Sequence, residues 1–464
     1  MNAIDIDLSR ISKFFADRDQ ENVTAALARR QNFGVTLVCG NDVAGSYTLQ
    51  LAVLTAARIA VRCFPGAVRV ALSPALKMTP LRIWPSLEQS FGQALSDILG
   101  AATFLDLGGQ GQAAHTVLFG NVPEAKGALR VTFDGWIAKV GPAQDMARLP
   151  EREYCSLTGI LASSLALSEL FLSFAEINVE ATRRVVAVSL WRPDLDAADQ
   201  EALGVNVEHL PRELWVLGLG HLGNAYLWAL ATLPYAAPRE IELMLNDFDK
   251  VESVNLETGI IFETEHLLGL KTRGCGAWLE ARKFRTRLVE RRFDDAFRCR
   301  TDEPRLALCG FDSNPVRRDL PKANFLRVIE SGLGGTASNF DTISLHTLPN
   351  PRPADELWPD LAKKEEEKRI EQQKRVANEN TAYLGLDDDE CGRYELAGKS
   401  VAVPFVGTTA ASFVVAEVLR LLHSGPAYTD IKLRLSAPGK PFAQRSHDYV
   451  PEDHAGVKFA LVNS

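Results

Sequence analysis

The sequence predicts an α/β protein of two tandem units, each with a mostly parallel sheet flanked by helices. Three observations lead to this class. The stretch 213–249 reads as strand, glycine turn, helix and strand in one run, and a weaker version of the same order begins at Val35. Two late apolar segments, 157–170 and 405–418, share small residues in register. Strands that alternate with helices predict a parallel sheet, and the shared order predicts an internal duplication.

Composition narrows the class further. The chain has 464 residues, 46% hydrophobic and 24% charged, which is typical of a globular protein with two or three domains, and its net charge of −8 argues against a general nucleic-acid surface. The N-terminus lacks the apolar segment of a signal peptide, and polar residues interrupt the apolar run 157–175, which favours a packed helix over a membrane span. Seven cysteines without a C-x-x-C pair predict neither a disulfide framework nor a zinc site. We therefore expect a cytoplasmic protein that binds neither nucleic acid nor membrane.

The first unit carries a degenerate glycine turn. One or two helices are predicted over residues 1–30, followed by a strand at 35–39 and a turn. Asp42 stands where the second unit has the central glycine of its turn, Gly220. The outer glycines of the two turns align: Gly40 with Gly218, and Gly45 with Gly223. A carboxylate at the central position repels a phosphate and its Cβ crowds the approach, so this turn should not bind nucleotide.

The rest of the first unit follows the second without its acidic residues. A second strand is predicted at 68–72, but Ser73 and Pro74 follow it in place of an acid, and 116–121 parallels 306–311 without a carboxylate for a metal. The late apolar segments align four small or acidic residues: Gly159, Ala162, Ser164 and Glu169 with Gly407, Ala410, Ser412 and Glu417. We expect one inactive copy and one active copy, joined by a polar, proline-broken linker at 191–210.

The glycine turn of the second unit has the composition of a nucleotide site. Gly218 and Gly220 allow a tight turn and the approach of a phosphate to main-chain N–H groups, and Gly223 lets the next helix, predicted at 224–233, pack on the sheet. A strand at 241–245 leads to Asp247, whose carboxylate can accept a ribose hydroxyl. The helix N-terminus favours an anion.

The following motifs indicate which nucleotide. Lys271 and Asp312, the latter after a strand at 305–309, should meet Asp247 at the carboxyl edge of the sheet. A lysine suits a phosphate, and a carboxylate suits Mg²⁺ bound to phosphate oxygens. An NAD site needs neither, whereas a nucleoside triphosphate that loses pyrophosphate needs both.

At these residues the sequence resembles the ThiF/MoeB/E1 superfamily, whose members adenylate the C-terminal glycine of ubiquitin and its relatives. GLGHLG resembles the family's glycine turn, NDFDKVESVNL its DxDxVxxxNL segment, GLK its GxxK lysine, and CGFDSNPVR its DxxDNxxxR strand end. The resemblance implies two tandem Rossmann-like, E1 adenylation-type domains forming a pseudo-dimer. It implies ATP and Mg²⁺ as cofactors, without zinc. The residues implied to bind ATP and Mg²⁺ are Gly218, Gly220, Gly223, Asp247 at the ribose, Asp249, Asn255 and Lys271 at the phosphates, and Asp312 as the metal carboxylate.

The resemblance has one clear departure. The family places an arginine at the phosphates, but Thr258 stands at that position. A replacement is expected from the same unit, with Arg273 and Arg317 as candidates, or phosphate binding is weakened. In homodimeric relatives an arginine of the partner reaches the phosphates, and here the inactive copy could supply one from Arg10, Arg29 or Arg30.

The segment 350–400 corresponds to the family's crossover loop, which carries or precedes a catalytic cysteine. Charged residues at 361–380 favour a solvated helix over a disordered linker, and 381–393 is predicted as a loop. Cys391 is the candidate nucleophile, with an inert surface cysteine as the alternative. The acidic run 387–390 would raise the pKa of its thiol, and Arg393 and Lys399 would offset part of that rise. The other six cysteines are expected to be structural.

The predicted domains are an N-terminal helical segment (1–30), a degenerate adenylation-like domain (31–190), a linker (191–210), an active domain (211–440) and a C-terminal tail (441–464). The resemblance implies adenylation of a ubiquitin-like protein, a thioester, and transfer to an E2-like carrier by a monomer or homodimer. Without zinc cysteines and with a fused inactive copy, the chain looks most like the E1 proteins of bacterial ubiquitin-like conjugation operons, some tied to phage defence. Three alternatives stay open: adenylation of a sulfur carrier or peptide without a thioester, an NAD-dependent oxidoreductase, and a silent scaffold.

Overall fold

A computed structural model describes most of the chain. The described residues are 9–65, 68–83, 89–100, 104–105, 115–359, 371, 374, 378–384, 397–438, 441–446 and 457–463. The first half contains, in order, α1 (Ser12–Asp19), α2 (Val23–Gln31), β1 (Val35–Cys39), α3 (Tyr47–Cys63), β2 (Val68–Ala71), α4 (Pro74–Lys77), α5 (Phe91–Leu99), β3 (Phe104–Leu105), β4 (Thr116–Phe119), β5 (Leu129–Asp134), β6 (Ile137–Pro142), α6 (Leu157–Phe174) and β7 (Val186–Ser189).

The second half repeats this order with additions. Its elements are β8 (His209–Pro211), β9 (Glu213–Leu217), α7 (His221–Ala231), β10 (Glu242–Asn246), α8 (Ser253–Thr258), α9 (Lys271–Glu280), β11 (Arg285–Val289), β12 (Leu306–Cys309), α10 (Asn314–Arg317), β13 (Arg327–Leu333), β14 (Thr342–Leu348), α11 (Ala354–Leu357), α12 (Thr381–Leu384), α13 (Pro404–Leu422), β15 (Tyr428–Arg434), β16 (Phe442–Arg445) and β17 (Phe459–Leu461).

The two sheets have the same topology. The described part of the first has the order β3-β2-β1-β4-β5-β6-β7, and the second has β11-β10-β9-β12-β13-β14-β15-β16. In each sheet the first five strands are parallel and the later ones antiparallel. The predicted α/β class of two tandem, mostly parallel units is therefore confirmed, with β16 added to the second sheet.

The duplication extends to helix packing. A Cβ on Gly159 of α6 would lie 2.6 Å from the carbonyl oxygen of Thr48 on α3, and a Cβ on Gly407 of α13 would lie 2.4 Å from Nε2 of His221 on α7. Each glycine therefore lets the late helix of its unit approach the early one closely. Across the units α6 packs on α13, where the Oγ atoms of Ser164 and Thr408 are 2.6 Å apart (Oγ1 in Thr408).

These two central helices are apolar because they are covered on nearly every side. By length and composition both α6 and α13 could cross a membrane, yet 89% and 100% of their apolar windows are buried inside the protein. The predicted packed helix at 157–175 is thus present as α6. A helix buried all round is hydrophobic on all faces, which explains why apolar residues occur around the whole of each helix.

Several local predictions need correction or lie outside the described residues. The helix after the glycine turn begins at His221, three residues before the predicted start, because Gly220 serves as its N-cap. Residues 381–384 form a helical turn instead of a loop. Nearly all of the predicted helix 361–380 and the loop with Cys391 lie outside the described residues. In the tail, β17 pairs with β8 and joins the tail to the linker.

Candidate functional site

The candidate nucleotide site lies at the carboxyl edge of the second sheet. In the parallel register Leu217 pairs with both Asn246 and Cys309. The residues that follow these three therefore stand side by side at the edge: Gly218, Asp247 and Gly310. The crevice beyond the carboxyl ends of parallel strands is where open α/β sheets bind ligands.

The three glycines of the turn meet different needs. Gly218 has φ +77°, a conformation that favours glycine, and a Cβ on Gly223 would lie 1.9 Å from the carbonyl oxygen of Gly218. Gly220 is different, because a Cβ there would have no atom of the described residues within 4 Å. Gly218 and Gly223 thus serve the fold, while Gly220 leaves open space at the N-terminus of α7, where an anion is favoured.

Asp247 fixes the shape of the turn. Its Oδ2 accepts the N–H of Leu219 (2.7 Å) and its Oδ1 accepts the N–H of Asp249 (2.8 Å). Burial raises the pKa of Asp247 above its ordinary value, and the nearby charge of Lys271 opposes that rise. Each carboxylate oxygen retains a second lone pair, so a ribose hydroxyl can still bind here.

Lys271 is brought to the site by a main-chain link. Val251 donates to the carbonyl of Gly269 (2.8 Å) and Lys271 to that of Asp249 (2.9 Å). The Lys271 Nζ lies 3.1 Å from Oδ2 of Asp249, a carboxylate that is half exposed. An ion pair of this kind is weak, so the lysine can turn to a phosphate at little cost.

Asn255 lies on the short helix α8, and one of its side-chain hydrogen bonds is made within that helix. Its Oδ1 accepts the N–H of Glu252 (2.9 Å) as part of a capping box. Thr258, at the position of the family's arginine, is buried, and its Oγ1 donates to the carbonyl of Val254 (3.0 Å). The side chain at 258 therefore serves the helix.

The two arginines predicted as replacements within this unit have other partners. Arg273 is 68% exposed and pairs with Glu290 (2.8 Å). Arg317 is buried, with Nε 2.9 Å from Oε1 of Glu330 and donating to the carbonyl of Phe311 (2.8 Å). Arg317 thus secures the loop that carries Asp312, instead of extending toward the turn.

The three candidate arginines of the N-terminal segment also have different partners. Arg29 donates to the carbonyl of Phe174 (2.8 Å), and Arg30 pairs with Glu257 of α8 (2.8 Å). Arg10 donates to the carbonyl of Ser400 (3.1 Å), while its neighbour Ser9 bonds Glu257. Arg10 therefore contacts the end of the crossover segment 350–400, next to a residue that bonds α8.

Asp312 is exposed in the loop between β12 and α10, three residues beyond Cys309. The described residues contain no group of three or more acidic, histidine or cysteine side chains that could hold a metal ion. A Mg²⁺ ion that also binds phosphates needs only one or two protein carboxylates, and an exposed Asp312 fits that requirement.

The turn of the first unit is closed by its own aspartate. Oδ1 of Asp42 accepts the N–H of Asn121 (2.8 Å), and Oδ2 pairs with Arg148. A Cβ on Gly120 would lie 2.4 Å from the Asp42 carboxylate. The space that is open at Gly220 is therefore filled in the first unit.

The six described cysteines are all buried and unpaired. Burial raises the pKa of every one: to about 12 for Cys155, to about 11 for Cys299, and further above the ordinary value for the rest. The buried thiols are poor nucleophiles for this reason. The seventh cysteine, Cys391, lies outside the described residues.

Sequence patterns did not reveal two features of this site. The first is His221, the first residue of α7: its Nε2 is buried with no hydrogen-bond partner among the described residues, and burial lowers the pKa of His221 to about 4. The second is Glu257, which is bonded from the other half of the chain. No local pattern indicates either, since each depends on a neighbour distant in sequence.

Fold and site together define a class: a pseudo-dimeric pair of Rossmann-like units, one with an open glycine turn and one with a closed turn. Family models described as the BilD N-terminal and C-terminal domains match residues 34–190 and 210–425. The chain is 33% identical over 434 residues to the bacterial E1-like protein BilD of Collimonas sp. (strain OK412), covering 91% of this chain and 90% of that relative. The chain belongs to the BilD family of bacterial E1-like proteins.

Similar solved structures are more distant. Escherichia coli MccB is 13% identical, with 68% of this chain and 92% of that chain covered and a TM-score of 0.36. PaaA is 16% identical, with 50% and 72% covered and a TM-score of 0.34.

Proposed function

We propose that this chain is an E1-like activating enzyme. It uses ATP and Mg²⁺ to adenylate the C-terminal carboxylate of a ubiquitin-like protein, forms a thioester on Cys391, and passes the acyl group to an E2-like carrier. The observation that carries this proposal is the open turn at Gly220, beside Asp247 and Lys271 at one sheet edge. Membership in an E1-like family supports the choice of a protein carboxylate as substrate.

In the first step the carboxylate of the substrate protein attacks the α-phosphate of ATP. A new P–O bond forms to the carboxylate, and pyrophosphate leaves. Lys271 and the N–H groups at the start of α7 stabilise the charge that develops on the phosphates, with Asn255 as a further donor. Bound Mg²⁺ supplies positive charge at the leaving group, and Asp312 is the residue that would hold it. Arg10 is our candidate for the arginine that Thr258 replaces.

In the second step the Cys391 thiolate attacks the acyl carbon, and AMP leaves with the electron pair of the broken C–O bond. The other cysteines are unsuited to this role, because all six are buried with a raised pKa. The carrier's cysteine thiolate then attacks the thioester in the same way and releases Cys391 as a thiolate.

The proposed organisation follows the sequence prediction. Residues 31–190 form the inactive unit, 191–210 the linker and 211–440 the active unit with the crossover loop at 350–400, preceded by the helical segment 1–30 and followed by the tail 441–464. We place the protein in the cytoplasm, as the E1 of a bacterial ubiquitin-like conjugation operon. A monomer suffices, because α6 and α13 already pair the two units.

The test is ATP–pyrophosphate exchange with the ubiquitin-like protein encoded nearest this gene. Wild type should exchange, Asp312→Ala should not, and Cys391→Ala should retain exchange but lose the reducible thioester band. Asp319→Ala, which changes an acid of the next turn that pairs with Lys322, is the matched control and should behave as wild type. Full turnover by Cys391→Ala would indicate adenylation without a thioester, and a wild type without exchange would favour a silent scaffold.

A further inference from the structure

The helix that carries Asn255 depends on its neighbours for its position. α8 spans six residues, and a helix this short is not stable alone in water. From its own unit, Oδ1 of Asn224 accepts the N–H of Ile261 just beyond the helix (3.1 Å). The charged contacts to α8 and the residues after it come from the other half of the chain.

Arg30 of α2 reaches Glu257, two residues after Asn255. The guanidinium is fully buried, with Nη1 2.8 Å from Oε1 of Glu257 and 2.6 Å from Oγ of Ser9. The same Oε1 accepts the Ser9 hydroxyl (2.5 Å), and Oε2 accepts the N–H of Ile11 (3.4 Å). The Nε and Nη2 atoms of Arg30 donate to two carbonyls at the end of α3. Glu257 is therefore held from several directions by residues more than 200 positions away.

Two arginines of α3 hold the residues that follow. Arg62 donates through Nε to the carbonyl of Gly259 (2.6 Å), and Arg58 donates through Nη1 to the next carbonyl (3.1 Å). Both also pair with Glu263, at 2.9 Å for Arg58 and 3.3 Å for Arg62. The segment 259–263 is thereby fastened to the first unit through its main chain.

We propose that the first half of the chain positions the phosphate-binding helix of the second unit, with Arg30 of the N-terminal helical segment acting through Glu257 on Asn255. This inference rests on the proposed function. Arg30, Arg58 and Arg62 of the first half stand beside the segment where the family's arginine is missing, but they bind the carboxylates and carbonyls of that segment. Arg30 is thus a positioning residue. Released from it, α8 can shift, and a misplacement of about 1 Å in a binding group costs about 100-fold.

The main test variant is Glu257→Gln, which keeps the shape of the side chain and removes its charge. The expected result is a rise of about tenfold or more in the Kd of a fluorescent ATP analogue and a fall of about tenfold or more in kcat/KM for ATP in pyrophosphate exchange, because Asn255 is proposed to contact the phosphates both in bound ATP and in the transition state. Ser9→Ala removes only the bridging hydroxyl at a partly exposed position and should give a smaller change in the same direction.

A matched control removes a different bond between the units. Tyr47 Oη of α3 donates to the carbonyl of Thr232 (3.0 Å), just past the end of α7 that lies away from the glycine turn. Tyr47→Phe should lower the melting temperature at most and leave the Kd for the ATP analogue unchanged. A purely structural role for Glu257 would give the same pattern as this control: a lower melting temperature with unchanged ATP binding.

The outcomes separate the two proposals. If folded Glu257→Gln and Ser9→Ala bind the analogue as wild type does, the positioning role is wrong, and exchange by the wild type still upholds the enzyme. If Tyr47→Phe weakens binding as much as Glu257→Gln does, general loosening between the units explains the effect and the proposal fails. A wild type that binds no ATP overturns both. If Glu257→Gln does not fold, the Kd of the ATP analogue for Ser9→Ala decides whether the positioning role holds.

Discussion

Replacing Gly220 by alanine tests whether this glycine is required for folding or for nucleotide binding. A Cβ at this position would have no atom of the described residues within 4 Å. Its φ of −74° is one that any residue can adopt. We therefore expect the free energy of unfolding to change by about 1 kcal/mol or less.

The effect on ATP binding should be much larger. The methyl group would stand in the open space at the N-terminus of α7, where we propose that a phosphate approaches the main chain. A displacement of about 1 Å in this geometry costs up to about 100-fold. The Kd for ATP should weaken at least tenfold, which corresponds to about 1.4 kcal/mol.

The assay combines guanidinium chloride unfolding with equilibrium titration of ATP. Gly45→Ala, at the aligned outer glycine of the closed turn, also meets no described atom within 4 Å and should leave both measurements unchanged. Gly223→Ala should instead lose stability by about 1–3 kcal/mol or more, because its Cβ would lie 1.9 Å from a carbonyl oxygen. A folded Gly220→Ala protein that binds ATP as wild type does would refute the placement of phosphate at this turn.

Three further predictions follow from individual contacts. Burial lowers the pKa of His221 from about 6.5 to about 4 in the folded protein, so its contribution to stability is complete above pH 6.5 and is lost, by at most about 3 kcal/mol, as the pH falls toward 4. Urea unfolding of His221→Asn should lose this part of the pH dependence of stability. An unchanged pH dependence would show that His221 is not responsible for it. Asp42→Asn should cost about 1 kcal/mol of stability, measured by denaturation, through its weakened bond to Arg148, without changing pyrophosphate exchange; a loss of exchange would show that the first turn takes part. Lys271→Met should reduce pyrophosphate exchange about 100-fold or more while stability changes by less than about 1 kcal/mol, since its partner Asp249 is half exposed. Retained exchange would show that Lys271 does not bind the phosphates.

Local patterns were sufficient for the elements around the candidate site. The strand predicted at 241–245 is observed at Glu242–Asn246, and the strand predicted to begin at Val35 and run into the turn at Gly40 is observed at Val35–Cys39. Both are short apolar runs that end at a turn, and such runs depend little on distant residues. The helix start was placed too late because Gly220, which reads as part of the turn, is the N-cap of α7.

The arginines show what local sequence patterns do not predict. Arg317 and Arg30 carry no local signal that distinguishes a phosphate ligand from a buried ion-pair partner. Only the folded chain places Arg317 against Glu330 and Arg30 against Glu257, across 13 and 227 positions respectively. A guanidinium can bind carboxylates, phosphates or carbonyls, so the residue type alone does not say which partner it has, and its position in the fold decides.

The sequence by itself determined the α/β class, the duplication and the difference between the two turns, because these depend on apolar periodicity and on which turn positions are glycine. It also identified Asp42 as the residue that distinguishes the first turn. The tertiary structure decided that the Asp42 carboxylate fills that turn, and that α8 and the residue after it are bonded by Arg30 and Arg62 of the first half of the chain. These contacts join residues far apart in the chain, Asp42 with Arg148 inside the first unit and Arg30 with Glu257 between the two halves, and no local pattern encodes them.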